Sequence, residues 1–309
     1  PYTTLFRSAE HRAQCRAMLG MEGLSHNVTQ PPPAVRNSPA PPGAAVPHGV
    51  ETFARGKGCR VDRVSLPWAA GVSARGLLIT PESAGRHPVM LFCPDTDTWP
   101  ERFAGLVEGI APPPWLSRLV GRGVAVYVPQ SVERLADHPY CALTRGKDRR
   151  MVLYRLGYPV GRTVPGLDVQ DALAAIEYLS RCPDIDPDRI GLAGIGQGGM
   201  TALYAAALEP RVRAAVVADY FDRRDRCWQE PVDRRLPGQL LVCGDAELAA
   251  LVAPRPLAIL TSRGSAIPAD RVAGEVRRVL GFHEGLKVPG NLTSVADVPS
   301  SELADRMAS

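Results

Sequence analysis

The segment RIGLAGIGQGGMTALYAAALEPRVRAAVVADYF, residues 189–221, has the pattern of a strand, a sharp glycine turn, a helix and a second strand. Its centre, GIGQGG, has three readings: a cradle for a nucleotide, a hydrolase turn without its nucleophile, or a tight bend. Read literally, Gly194, Gly196 and Gly199 satisfy G-x-G-x-x-G between a strand and a helix, and Asp219 ends the next strand. That is the dinucleotide fingerprint with its ribose-binding acid, in which helix amino-terminal amides attract a pyrophosphate.

Working outward, strand and helix patterns alternate from about residue 50 to 290. CRVDRVSLPW and SARGLLITP read as an early strand pair, and HPVMLFCPDTD as a buried strand ending in polar residues. LSRLVGRGVAVYVPQS gives a helix end and another buried strand. Asp168, Ala172, Ile176 and Leu179 fall at helical spacing in a long helix before the quoted unit. Beyond it, AELAALVAP reads as a short helix, RPLAILTS as a strand and RVAGEVRRVLGF as an amphipathic helix, with a last strand near GLKV. Such alternation predicts an α/β fold, a doubly wound and mostly parallel sheet with helices on both faces. Ligands of such sheets bind at the carboxyl ends of the strands, which places CPDTD, GIGQGG, ADYF and TSRGS on one rim. Two or three strand–helix units precede the glycine turn, whereas a dinucleotide unit usually opens its domain.

Residues 1–8, PYTTLFRS, read as the translation of a sequencing-adapter oligonucleotide and are left out of the fold reasoning. Residues 9–22 contain a helical stretch, AEHRAQCRAMLG, stopped by Gly20. Residues 23–49 are a Pro-rich linker, 50–298 the α/β domain and 299–309 a tail. The 36 Lys and Arg are interleaved with 32 Asp and Glu for a net charge of +4, so no clustered nucleic-acid footprint is present. No apolar run reaches the roughly 18 residues of a membrane span. The seven cysteines show neither CxxC spacing nor a Cys/His ligand set. They read as reduced and mostly buried thiols, with no metal site or disulfide framework. No cofactor is expected, and the compartment is not legible.

The order of these segments resembles the α/β-hydrolase superfamily, and within it the acetyl-xylan-esterase and dienelactone-hydrolase-like serine esterases. RAQCRAML resembles the helix that precedes their domain. GRTVPGLDVQDALAAIEYLSRCPDIDPDRIGLAG resembles their run from long helix to nucleophile strand. GMTALYAAALEPRVRAAVVADYF and GDAELAALVAPRPLAIL are similar to the helix, strand and cap-to-strand stretch beyond that nucleophile strand. The resemblance implies a G-x-S-x-G elbow, whose serine hydroxyl stands above the sheet. The slots here read Gly194-Ile195-Gly196-Gln197-Gly198, so the serine position is Gly196. The acid slot falls on Gly264, and no carboxylate occurs between Glu247 and Asp270. No histidine occurs from Pro289 to Ser309, where the family's base is expected. The His-Gly that opens the oxyanion loop is replaced by Pro94-Asp95. A nucleophile, its base and its orienting acid act as one unit, so the resemblance implies a degenerate hydrolase.

Substitute nucleophiles on the rim are Ser262, Ser265 and Cys93, with His138 as the only rim histidine. Asp95, Thr96, Gln197, Asp219 and Tyr220 are the residues expected to face a ligand, such as a small carbohydrate or ester. Asp95 and Asp97 also suit a metal or a sugar hydroxyl, or simple loop capping. The arginines of DRRDRCWQEPVDRRL are expected to pair with neighbouring aspartates. Three functions remain open from sequence. The first is a non-catalytic domain that binds a ligand or packs against an active hydrolase domain or subunit. The second is an active carboxylester hydrolase with an unusual nucleophile. The third is a dinucleotide-binding protein.

Overall fold

The computed structural model describes residues 9–22, 49–56, 58–69, 72–132, 134, 148–287 and 291–307. His138 and most of the Pro-rich segment lie outside the described residues. The strands are β1 (Gly49–Gly56), β2 (Cys59–Ala69), β3 (Val72–Pro81), β4 (His87–Cys93), β5 (Ala125–Pro129), β6 (Ile185–Ile195), β7 (Val212–Ala218), β8 (Leu257–Ser262) and β9 (Leu292–Val298). They form one nine-stranded sheet in the order β1-β2-β3-β5-β4-β6-β7-β8-β9. The pairs β1·β2, β2·β3 and β3·β5 are antiparallel, and the five pairs from β5·β4 to β8·β9 are parallel.

The helices are α1 (Ala9–Met18), α2 (Pro100–Phe103), α3 (Pro114–Gly121), α4 (Arg149–Gly157), α5 (Val164–Leu179), α6 (Gln197–Leu208), α7 (Gln239–Val242), α8 (Asp245–Val252), α9 (Ala269–Leu286) and α10 (Ser300–Met307). Successive strand residues point to opposite faces, so buried strands feed two cores. Leu78, Leu91, Tyr127, Leu192, Val217 and Ile259 enter the core beneath α1, α5, α6, α8 and α9. Leu77, Ile79, Phe92, Val126, Ala193 and Leu260 enter the other, closed by Trp115 and Leu119 of α3 and by Leu303 and Met307 of α10. The alanines of α5 and α6 let those two helices approach each other and the sheet closely, and Ala172, Ala174, Ala175, Ala205, Ala206 and Ala207 are all fully buried.

The predicted strands and long helices form where the periodicity places them, with three differences. The last strand runs 292–298 rather than near GLKV, because Leu286 still belongs to α9. The sequence 299–309, read as a tail, supplies α10. The strand β1 and the helix α4 were not anticipated. Both are polar, with β1 an edge strand and Arg150 the buried residue of α4.

Candidate functional site at the glycine elbow

Strand β6 ends at Ile195, and α6 starts at Gln197. Gly196 joins them with φ +58° and ψ −120°, a sharp turn at the carboxyl edge of the sheet that glycine adopts freely and a side chain would strain. The flanking glycines are fixed by packing. A Cβ on Gly194 would lie 2.0 Å from the carbonyl oxygen of Gly198, and one on Gly198 would lie 1.9 Å from that of Cys93. A third, on Gly199, would meet the carbonyl oxygen of Ala218 at 2.8 Å. Close strand–helix contact therefore accounts for these glycines without a bound phosphate.

The amide groups at this turn already hold an anion. Asp95 follows β4 and Pro94, and its Oδ1 accepts hydrogen bonds from the backbone N–H of Gln197 and of Thr96, both at 2.9 Å. A guanidinium nitrogen of Arg234 stands 3.6 Å from the same oxygen. A Cβ built on Gly196 would meet Cγ, Oδ1 and Oδ2 of Asp95 at 2.6 to 2.8 Å. The carboxylate thus occupies the space into which a side chain at 196 would project. Carboxylate bonds to amide N–H groups at a helix amino terminus are among the stronger ones, about 1.5–3 kcal/mol.

Beside this carboxylate lies an arginine–aspartate network. Arg150, fully buried on α4, donates to Asp168 of α5 at 2.9 Å, to Asp233 at 2.5 Å and to the carbonyl of Val132 at 3.0 Å. Burial alone would lower the pKa of this guanidinium, but Asp168 and Asp233 outweigh it and hold the value above the ordinary one. Arg134 reaches Asp233 at 3.5 Å and also bonds Thr96, and its backbone N–H binds Asp97 at 2.7 Å. Asp97 adopts a left-handed φ of +72°. Asp95 thus caps the start of α6 and Asp97 the loop at Arg134.

Below the elbow is a cavity of about 20 Å³, room for roughly one water. Its lining includes Cys93, Ser131, Asp168, Asp171, Gln197 and Thr201. Asp171 accepts a 2.6 Å bond from the indole of Trp68, yet desolvation pushes its carboxyl up to about 7. The thiol of Cys93 is buried, and desolvation raises its pKa far above the ordinary value, the opposite of what a nucleophile needs.

The structure brings Asp95, Thr96 and Gln197 together around Gly196. Asp219, with φ +49°, spends its Oδ1 on the backbone N–H of Ser262 at 2.7 Å. Tyr220 is buried under the guanidinium of Arg224, 4.0 Å above its ring, and does not face the rim. Ser265 accepts from the N–H of Ile267, and Gly264 lies exposed in the turn after β8. Among the arginines of residues 222–235, Arg223 pairs with its neighbour Asp225, Arg224 binds Glu230 and the distant Asp245, and Arg234 stands 3.6 Å from Asp95.

None of the three described histidines stands at the elbow. His87 lies at the opposite end of β4 from Cys93 and bonds the carbonyls of Gly123 and Ser83. His11 adjoins Arg12, whose guanidinium reaches the carbonyls of Ala207 and Leu251, at the far end of α6 from the elbow. His283 is buried in α9 with no hydrogen-bond partner at either ring nitrogen, and desolvation lowers its pKa. The Arg150 network was not anticipated from sequence. Its only advance signal was Asp168, an acidic residue on the apolar stripe of the long helix.

The strand order, the crossover units and an elbow at the carboxyl edge between β6 and α6 decide the architecture. The fold is the α/β-hydrolase fold. Residues 168–225 match the acetyl xylan esterase family AXE1. Among curated relatives, YtaP of Bacillus subtilis, named as a hydrolase, is 29% identical over 119 residues, 36% of this chain and 40% of its own length. A protein of Pseudomonas aeruginosa, PA2218, is 39% identical over 67 residues, 21% of this chain and 18% of its own. The matched stretches thus span less than half the length of these relatives. An acetyl-xylan-esterase-like structure from Bacteroides fragilis superposes with a TM-score of 0.68 at 17% identity, over 98% of this chain and 77% of its own. A glucuronoyl esterase from Solibacter usitatus gives 0.58 at 15% identity, over 96% and 90%. Likeness at these identities establishes the shared α/β-hydrolase fold.

Proposed function

We propose that this chain is an α/β-hydrolase domain, related to carbohydrate and carboxylic-ester esterases, that has given up serine hydrolysis and binds a ligand or partner at its carboxyl-edge crevice. The observation that carries the reading is the carboxylate of Asp95. It fills the amide cradle that an ester-cleaving elbow keeps for the oxyanion, above a Gly196 that offers no nucleophile. A developing oxyanion there would meet a negative charge where hydrogen-bond donors are required. The same charge opposes a pyrophosphate, which weighs against dinucleotide binding through Gly194, Gly196 and Gly199. The ligand class favoured by the relationship is a small carbohydrate or its ester, entering beside Thr96 and the half-buried Trp99.

Incubation with an aryl acetate and, separately, a fluorophosphonate probe tests the loss of hydrolysis. The expected result is no saturable turnover above a heat-denatured control and no labelled residue. Saturable turnover with a single labelled Ser or Cys overturns it.

A further inference from the structure

Far from the elbow, two thiols face each other inside the protein. Sγ of Cys15 on α1 lies 3.6 Å from Sγ of Cys243, the residue that ends α7, and both side chains are buried. They are 228 positions apart in sequence. The contact sits among other ties that hold α1 to the domain: Arg12 to the carbonyls of Ala207 and Leu251, and Thr163 Oγ1 to the carbonyl of Leu19 at 2.6 Å. Cys243 is joined through Gly244 to Asp245, whose buried carboxylate holds Arg224 and the backbone N–H of Asp222. The thiol pair therefore joins the first helix to the stretch that leads into Asp245, which anchors Asp222 and Arg224.

We propose that Cys15 and Cys243 form an oxidative cross-linking site, reduced in this structure and closed to a disulfide by a low-molecular-weight disulfide such as oxidised glutathione. The sulfurs need to approach from 3.6 Å to about 2.05 Å, a movement within reach of side-chain rotation when the Cβ atoms stand near 4 Å. The contact with Cys243, together with the charge of Arg12, holds the Cys15 thiol below its ordinary pKa against the effect of burial. That same contact, with burial, pushes Cys243 up. Cys15, which lies one helical turn from the cationic Arg12 on α1, is the attacking sulfur and Cys243 the resolving one.

In the first step the thiolate of Cys15 attacks one sulfur of the small disulfide, and the other leaves as a thiolate. In the second, the sulfur of Cys243 gives up its proton and attacks the sulfur of Cys15, expelling the second small thiolate. Two protein thiols are oxidised, one small disulfide is reduced to two thiols, and the two protons end on the released thiolates. Access to the buried pair requires a local opening in which α1 lifts from α7 and breaks the Arg12 and Leu19 ties.

The test uses the full chain, reduced and then exposed to oxidised glutathione, with subsequent peptide mapping under non-reducing conditions. The expected product is a linked pair of peptides containing Cys15 and Cys243, lighter by two hydrogen atoms. It is expected to come with a rise in Tm of about 5 °C or more that dithiothreitol reverses, because the bond closes a long loop. Cys15→Ser and Cys243→Ser should each abolish the linked peptide and the rise. Since either substitution can itself unsettle the core, the wild-type peptide map stands as an independent readout. Three results overturn the proposal. Both thiols remain free while the more exposed Cys59 or Cys227 is modified. Cys15 stops at a stable glutathione adduct. Or Cys15→Ser shows the same rise in Tm as the wild type.

Discussion

The elbow and the loop that faces it obey different constraints. At the elbow, the flanking glycines are dictated by backbone: side chains at 194 or 198 would overlap carbonyl oxygens at 2.0 and 1.9 Å. On the facing loop, Pro94 to Asp97, the bonds to the elbow and to Arg134 are made by the side chains of Asp95, Thr96 and Asp97. The position between the two regimes is Gly196, where the three atoms nearest to a new side chain would all be carboxyl atoms of Asp95.

The sharpest way to break this contrast is Gly198→Ala. The added methyl would collide with the Cys93 carbonyl, so β4 and α6 must separate. The expected loss is about 4 kcal/mol or more, at the severe end for single substitutions, read as a drop in the denaturation midpoint or failure to fold. A mild effect would mean the turn is looser than its contacts indicate.

Gly196→Ser comes next. A side chain at φ +58° and contact with Asp95 together predict a loss of about 1–3 kcal/mol. Adding Asp95→Gly removes the contact but also empties the amide cradle. The double variant is therefore expected to recover part of the loss without reaching the wild type, a non-additivity readable in chemical denaturation. Neither variant is expected to hydrolyse an aryl acetate, because the acid slot holds Gly264 and no histidine occurs from Pro289 to Ser309. Strict additivity would show that Asp95 and position 196 do not share the space.

These contrasts also explain what was legible in the sequence. The β6–α6 unit could be read because its apolar runs and glycines are imposed by local geometry, and the parallel sheet emerged from alternation along the chain. The glycine at position 196 was visible for the same reason, as one residue within a fixed pattern. The filling of the cradle was not, since it joins Asp95 to Gln197 across 102 positions and depends on where the loop after β4 comes to rest. Arg150 was hidden for a related reason. An arginine in the polar sequence RRMVLYRLG gives no sign of burial until α5 and Asp233 converge on it. Tyr220 erred the other way: its place at a strand end suggested the rim, but Arg224 folds over it.

The smallest effect concerns the floor of the same region, where Asp171 lies in the cavity wall. Its carboxyl is pushed up to about 7 by desolvation, partly countered by the Trp68 bond and reinforced by the charge of Asp168. The unfolded chain loses that proton near pH 4, whereas the folded chain keeps it until about pH 7. Between these values the folded state binds more protons, so this group's contribution to stability falls as pH rises and levels off above about pH 7. Asp171→Asn keeps an acceptor for the indole and removes the ionisation. It is expected to match the wild type near pH 4 and to exceed it by about 2 kcal/mol at pH 8, a figure reduced from the full shift because the side chain is partly exposed. Asp245, pushed up to about 6 by desolvation, titrates in both proteins and cancels in the difference. Urea denaturation of the pair across that pH range is the measurement. A constant difference would mean that Asp171 is ionised in the fold throughout, and that the ground beneath the elbow is as wet as the rim above it.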